Sequence, residues 1–201
     1  MDEILPGVWH WTAEHPDIET DVSSYYLEDA GVVLDPLWPE GGREAFGDWA
    51  VQQIVLTCKG HTRQSPELQE AFGARIRAPR VALGNFQGQD FEVEPFDWGD
   101  EVAPGVRSIE LGAIAPDDGV LHIHAGLGAL HFADGLLVRD GELSLMPDSL
   151  MDDPDTVKQK SLARLQELLE LDFDALLFAH SDPVASGGRD QLADFVSRNR
   201  R

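Results

Sequence analysis

Three apolar runs constrain what this chain can fold into. Each is too short for a helix, and each stops at a residue that can ionise. Ile54 to Thr57 leads into Cys58 and His61, Ala129 to Ala133 into Asp134, and Ala175 to Ala179 into His180. Short apolar runs bounded by polar residues read as strands buried on both faces. Open α/β proteins place their chemistry where such strands end. That is the minimum for a metal site or an acid–base pair at one sheet edge, although spacing alone does not force the three ends together.

The segments between these runs supply the other elements. Gly7 to Trp11 alternates, and Ser23 to Glu28 and Gly31 to Asp35 form a hairpin pattern around Asp29-Ala30. Residues 42–50 read as a short helix, and 66–72 as a second one with Ser65 as N-cap and Pro66 at its first position. Strands are expected at 74–77, 106–111 and 120–124, and a tight hairpin around Asp140-Gly141. A long helix over 155–171 carries Leu162, Leu165, Leu168 and Leu169 on one stripe, and a last helix covers 189–198. Without a repeat or a linker, the reading is one mixed α/β domain over residues 1–201.

Charge narrows the function classes. The chain has 37 Asp and Glu against 15 Lys and Arg, a net charge of −22. Such a surface repels nucleic-acid phosphate and anionic membrane, so neither is an expected partner; a small-molecule ligand is compatible with it. The scarcity of lysine (Lys59, Lys158 and Lys160) beside the acid excess fits a halophilic protein. The acidic opening Met1-Asp2-Glu3 and the lack of an apolar run long enough to span a membrane make a cytoplasmic location the expectation. The single cysteine, Cys58, excludes an internal disulfide framework.

Five motifs in order carry a resemblance. They are Ser23-Ser24-Tyr25-Tyr26-Leu27, Val32-Val33-Leu34-Asp35-Pro36, Leu56-Thr57, Phe132-Ala133-Asp134 and Leu177-Phe178-Ala179-His180-Ser181-Asp182-Pro183. Together they resemble the metallo-β-lactamase-fold superfamily from Trp9 to Phe195. The resemblance implies a four-layer αββα sandwich with the site between two sheets. It also implies a hydrolytic centre of one or two zinc, iron or manganese ions, with Asp134 as bridging carboxylate, His180 as final histidine ligand and Asp35 supporting the site from behind.

The ligand run itself departs from the family. Laid on Thr57, the family's Thr-His-x-His-x-Asp-His puts Cys58, Gly60, Thr62 and Arg63 at the four ligand positions, and Ala113 falls at a later one. Two arrangements follow. In the first, the dinuclear centre has degenerated and the pocket is metal-free, with the Arg63 guanidinium against Asp134 in place of the ion, since a buried carboxylate needs a paired partner. In the second, His61 shifts by one place to join Asp134 and His180 around one Zn or Fe ion, as a hydrolase of a small ester, thioester or lactone. A nucleophilic Cys58 assisted by His61 is a third reading. His122 and His124 share one strand face and are a further metal-ligand candidate, and His131 reads as a packing residue.

Overall fold

The computed structural model describes residues 1–200. Its strands in chain order are β1 (Asp2–Leu5), β2 (Val8–His15), β3 (Thr20–Leu27), β4 (Val32–Leu34), β5 (Gln53–Val55), β6 (Arg75–Pro79) and β7 (Val93–Phe96), then β8 (Glu101–Ala103), β9 (Val106–Glu110), β10 (Gly119–Ile123), β11 (Ala129–Phe132), β12 (Leu137–Arg139), β13 (Glu142–Ser144) and β14 (Ala175–Phe178). The helices are α1 (Ser65–Phe72), α2 (Pro154–Leu168) and α3 (Gly188–Asn199). β1 to β7 form one sheet in chain order, and the second sheet runs β14-β11-β10-β9-β8; β12 and β13 pair as a separate hairpin.

Period-two alternation sorts the side chains into three apolar layers. On β3 and β4, Tyr25, Val32 and Leu34 face the second sheet and meet Leu121, Ile123, Ala129 and Leu177. Their alternates Tyr26 and Val33, with Ile54 and Ile76, face outward onto Phe46 and Leu68 of α1. On the far side of the second sheet, Leu130, Phe132, Leu176 and Phe178 pack under Leu165 of α2 and Leu192 and Phe195 of α3. The layering is therefore helix, sheet, sheet, helix, the αββα sandwich. Strands at its centre are covered on both faces, which is why they read as unbroken apolar runs.

Local chemistry shifts the bounds of three helices from the sequence reading. The expected helix at 42–50 is only a 3₁₀ helix, Gly42–Phe46, with Gly41, Gly42 and Gly47 at positive φ around its two ends. Ser65 is the first residue of α1 rather than its cap; Gln64 stands before it. α2 starts one residue earlier than expected, where the Asp153 carboxylate accepts the Thr156 N–H at 3.2 Å. It stops at Leu168 because the N–H groups of Leu169, Glu170 and Leu171 reach back only three residues.

Tyr25 joins the two sheets next to the site. Its hydroxyl donates to the Phe178 carbonyl at 2.9 Å and accepts the Phe178 N–H at 3.1 Å. Tyr25 is fully buried, so no water can replace either bond. Tyr25→Phe is expected to lower unfolding stability by about 1–3 kcal/mol, the cost of stranding buried polar groups; urea titration of the variant against the parent protein measures it.

Candidate metal centre

The site is built outward from Asp35. This residue directly follows β4 in a left-handed conformation, φ 46°, which is unfavourable for a residue with a side chain and marks a position held by its surroundings. Its fully buried carboxylate accepts the Thr57 N–H at 2.9 Å, the Thr57 hydroxyl at 2.5 Å and His61 Nδ1 at 3.0 Å. Burial alone would raise its pKa, but the neighbouring His61, then His131 and Arg63, hold it well below the usual carboxylate range.

With Nδ1 bound to Asp35, His61 presents Nε2 to the gap between the sheets. The 3₁₀ turn Lys59–His61, directly after Cys58, brings it there. Its Nε2 lies 3.0 Å from His180 Nε2 and 3.3 Å from Asp134 Oδ1, and His180 Nε2 is 2.9 Å from the same Asp134 oxygen. The other Asp134 oxygen, Oδ2, is 3.5 Å from Cys58 Sγ. Cys58, His61 and Asp134 thus each offer a donor atom within 4.8 Å of the others.

Electrostatics at this cluster is strongly perturbed. Burial pushes the Cys58 thiol up to about 11, so it keeps its proton at neutral pH. Burial also disfavours a proton on His61, yet the charges around it outweigh burial and hold its pKa well above the ordinary value; with Cys58 neutral, those charges are Asp35 and Asp134. Asp134 is in turn held well below the usual carboxylate range, since His61 and the His180 hydrogen bond overcome its burial. Three such atoms crowded together suit a cation. Ligands held at about 2.1 Å, at angles between octahedral and tetrahedral, lie roughly 3.0–3.4 Å apart. The distances of 3.0 and 3.3 Å fall in that range, and the third, 2.9 Å, lies just below it. Asp35 behind His61 completes the carboxylate–histidine arrangement that orients metal-binding imidazoles.

Arg63 does something other than expected. Its Nη1 donates to the carbonyls of Ser23 at 2.8 Å and Asp35 at 2.6 Å, and its Nη2 to that of Ala179 at 3.2 Å. It makes no ion pair with Asp134, which corrects the expectation of a guanidinium standing in for the ion there. The reason is local. Arg63 itself has φ 43°, and backbone acceptors from both sheets converge on it, while the imidazoles already occupy Asp134. Thr62 donates its hydroxyl to the Lys59 carbonyl and closes the turn.

Sequence reasoning missed two acids. The loop that holds Ala113 reaches the site through Asp117 and Asp118. Asp117 accepts the Lys59 N–H at 2.7 Å, and Asp118 Oδ1 accepts the Asp134 N–H at 3.2 Å. The contact is tight: a Cβ on Gly135 would lie 1.8 Å from Leu111 Cδ2. The Asp-Asp-Gly run was the one available signal, and it looks like any polar turn. His122 and His124 meet edge-to-face with ring centres 4.8 Å apart, but His122 Nε2 bonds the Asp172 carbonyl at 2.8 Å. Among the described residues no third ligand joins them. His131 is fully buried and packs edge-on to Tyr25.

No protein-family model and no curated protein matches the chain. Solved structures do. A metallo-β-lactamase family protein from Thermus thermophilus superposes with a TM-score of 0.65 at 18% identity, over 98% of this chain and 81% of its own. An archaeal metallo-β-lactamase superfamily protein from Sulfolobus tokodaii gives 0.67 at 16% identity, over 96% and 85%. A protein called TTHA1623, solved in a di-iron-bound form, gives 0.63 at 19% identity, over 90% and 96%. At these identities the likeness is one of fold: the chain has the metallo-β-lactamase fold.

Asp118 supplies a pH test. Its Oδ2 is buried without a partner, and burial, then the Asp134 charge, push its pKa up to about 7. A carboxyl raised on folding stabilises fully below its unfolded pKa near 3.8, and that stability is lost as pH rises through about 7. Asp118→Asn removes this loss, so the stability of the variant relative to the parent is expected to rise between pH 5 and pH 8, by up to about 1.4 kcal/mol per pH unit. Urea unfolding at the two pH values reads the difference.

Proposed function

Proceeding from the metallo-β-lactamase fold, we propose that this chain is a mononuclear metal-dependent hydrolase of a small ester, thioester or lactone. His61, Asp134 and His180 hold one divalent Zn or Fe ion. The observation that carries the reading is the triangle of His61 Nε2, His180 Nε2 and Asp134 Oδ1, with sides of 2.9 to 3.3 Å and Asp35 fixed behind His61. Bound there, such an ion acidifies water and polarises a carbonyl.

The chain's own residues do the rest. Asp35 keeps the His61 proton on Nδ1, leaving Nε2 free as a donor of electrons. Arg63 ties the backbone just before His180 to the end of β4, so the two histidines keep their separation. His180 and Asp134 are the members open to solvent, at side-chain exposures of 20% and 25%, against 4% for His61. A cleft of about 400 Å³ bordered by Thr12, Ser23, Val138, Asp140 and Ser181 opens onto His180 and is the route for a substrate. The other ligand positions of the family, filled here by Gly60, Thr62, Arg63 and Ala113, offer no second set of donors. The reading is therefore of one ion rather than two.

Metal analysis of protein purified without chelator tests the reading. About one equivalent of transition metal is expected, with His61→Ala, Asp134→Ala and His180→Ala each falling below about one tenth of that occupancy. Esterase activity towards an activated ester is expected to vanish with chelator and return with metal. Protein that stays empty after incubation with Zn and Fe(II) would sink the proposal and favour the metal-free pocket.

A further inference from the structure

We propose that Cys58 is a fourth donor to this centre and makes it select a thiophilic ion, zinc in preference to manganese or magnesium; this rests on the single-ion reading above. Cys58, just before the Lys59–His61 turn, has extended conformation, φ −155° and ψ 169°, and its side chain turns into the site with 4% of its surface exposed. Its Sγ lies 3.5 Å from Asp134 Oδ2, while the opposite oxygen, Oδ1, faces the two histidines. The carboxylate is thus flanked by sulfur on one side and imidazoles on the other. A cysteine acting as a small hydrophobe packs among apolar groups; this one is set against a carboxylate and an imidazole whose donor atoms lie within 4.8 Å. It is also the only cysteine in the chain, so no disulfide accounts for it.

The chemistry of the donor set changes with it. Two imidazoles and a carboxylate serve Fe(II), Zn(II) and Mn(II) alike, whereas a thiolate shifts preference to zinc and cobalt(II). On binding, the S–H proton leaves to solvent, one metal–sulfur bond forms, and the site gains one negative charge. Four protein donors leave water a fifth position, which zinc tolerates.

Cobalt(II) makes the test visible. The wild-type protein loaded with one equivalent is expected to show visible ligand-field bands together with an intense near-ultraviolet sulfur-to-cobalt band. Cys58→Ser should keep the visible bands and lose the near-ultraviolet one, with zinc affinity at least tenfold weaker and manganese affinity unchanged. Visible bands without sulfur-to-cobalt absorption in the wild-type protein would overturn the role of Cys58 and leave the three-residue centre intact. No cobalt binding at all would overturn the centre itself. The wild-type spectrum decides the matter even if the substituted protein fails to fold.

Discussion

A single buried carboxylate sets the geometry around which this molecule is arranged. Asp35 is wholly enclosed, and an enclosed charge is costly unless every oxygen is bonded and a positive partner stands close. Both conditions are met by residues at the ends of neighbouring strands. Thr57, after β5, supplies two donors, and His61 supplies the third. The Asp35 carbonyl takes Arg63 and the Ser24 hydroxyl. Satisfying one side chain therefore fixes how β3, β4 and the 56–63 loop meet, and it fixes which nitrogen of His61 is left facing the second sheet.

The second sheet is held in register with this arrangement by polar contacts rather than by apolar packing alone. Tyr25 grips both backbone groups of Phe178, the Ser23 N–H donates to the Ala179 carbonyl at 3.0 Å, and Arg63 reaches that same carbonyl. Apolar layers can slide by fractions of an ångström at small cost; hydrogen bonds of fixed length cannot. His180 directly follows this anchored stretch, which is why its ring sits within 3.0 Å of one belonging to a different sheet. Arg63 thus serves as a clamp that holds the end of β4 and the stretch before His180 at a fixed separation.

Much of the fold was legible because burial imposes period-two patterning on strands and period-3.6 patterning on helices. Leu176 and Phe178 on one face and Ala175 and Leu177 on the other required a strand between two apolar layers, and that is where β14 lies. Boundaries were less legible: the 3₁₀ turn at Gly42–Phe46 depends on glycine conformations on either side of it, which patterning does not register. At the site, the residue types were readable and their partners were not. Arg63 was expected against Asp134 on charge alone, but carbonyl acceptors gathered by the backbone outcompete a carboxylate already bonded to two imidazoles. Asp118 was invisible because its role depends on a loop folding back onto Gly135.

What the sequence determined by itself was the run of strands and helices and the ionisable residues at the strand ends, since both follow from local periodicity and from where apolar runs stop; the αββα layering was an implication of the family resemblance. Tertiary structure decided which of those residues meet. The contacts between Asp35 and His61, His61 and His180, and Cys58 and Asp134 join positions 26, 119 and 76 residues apart. Their distances depend on how two sheets stack, and sheet stacking is set by the whole core and by the Asp35, Tyr25 and Arg63 bonds acting together. No local pattern encodes a separation of 3 Å between atoms on different sheets, so only the packed molecule could show that His61, one place off the family's register, turns its ring towards Asp134 and His180.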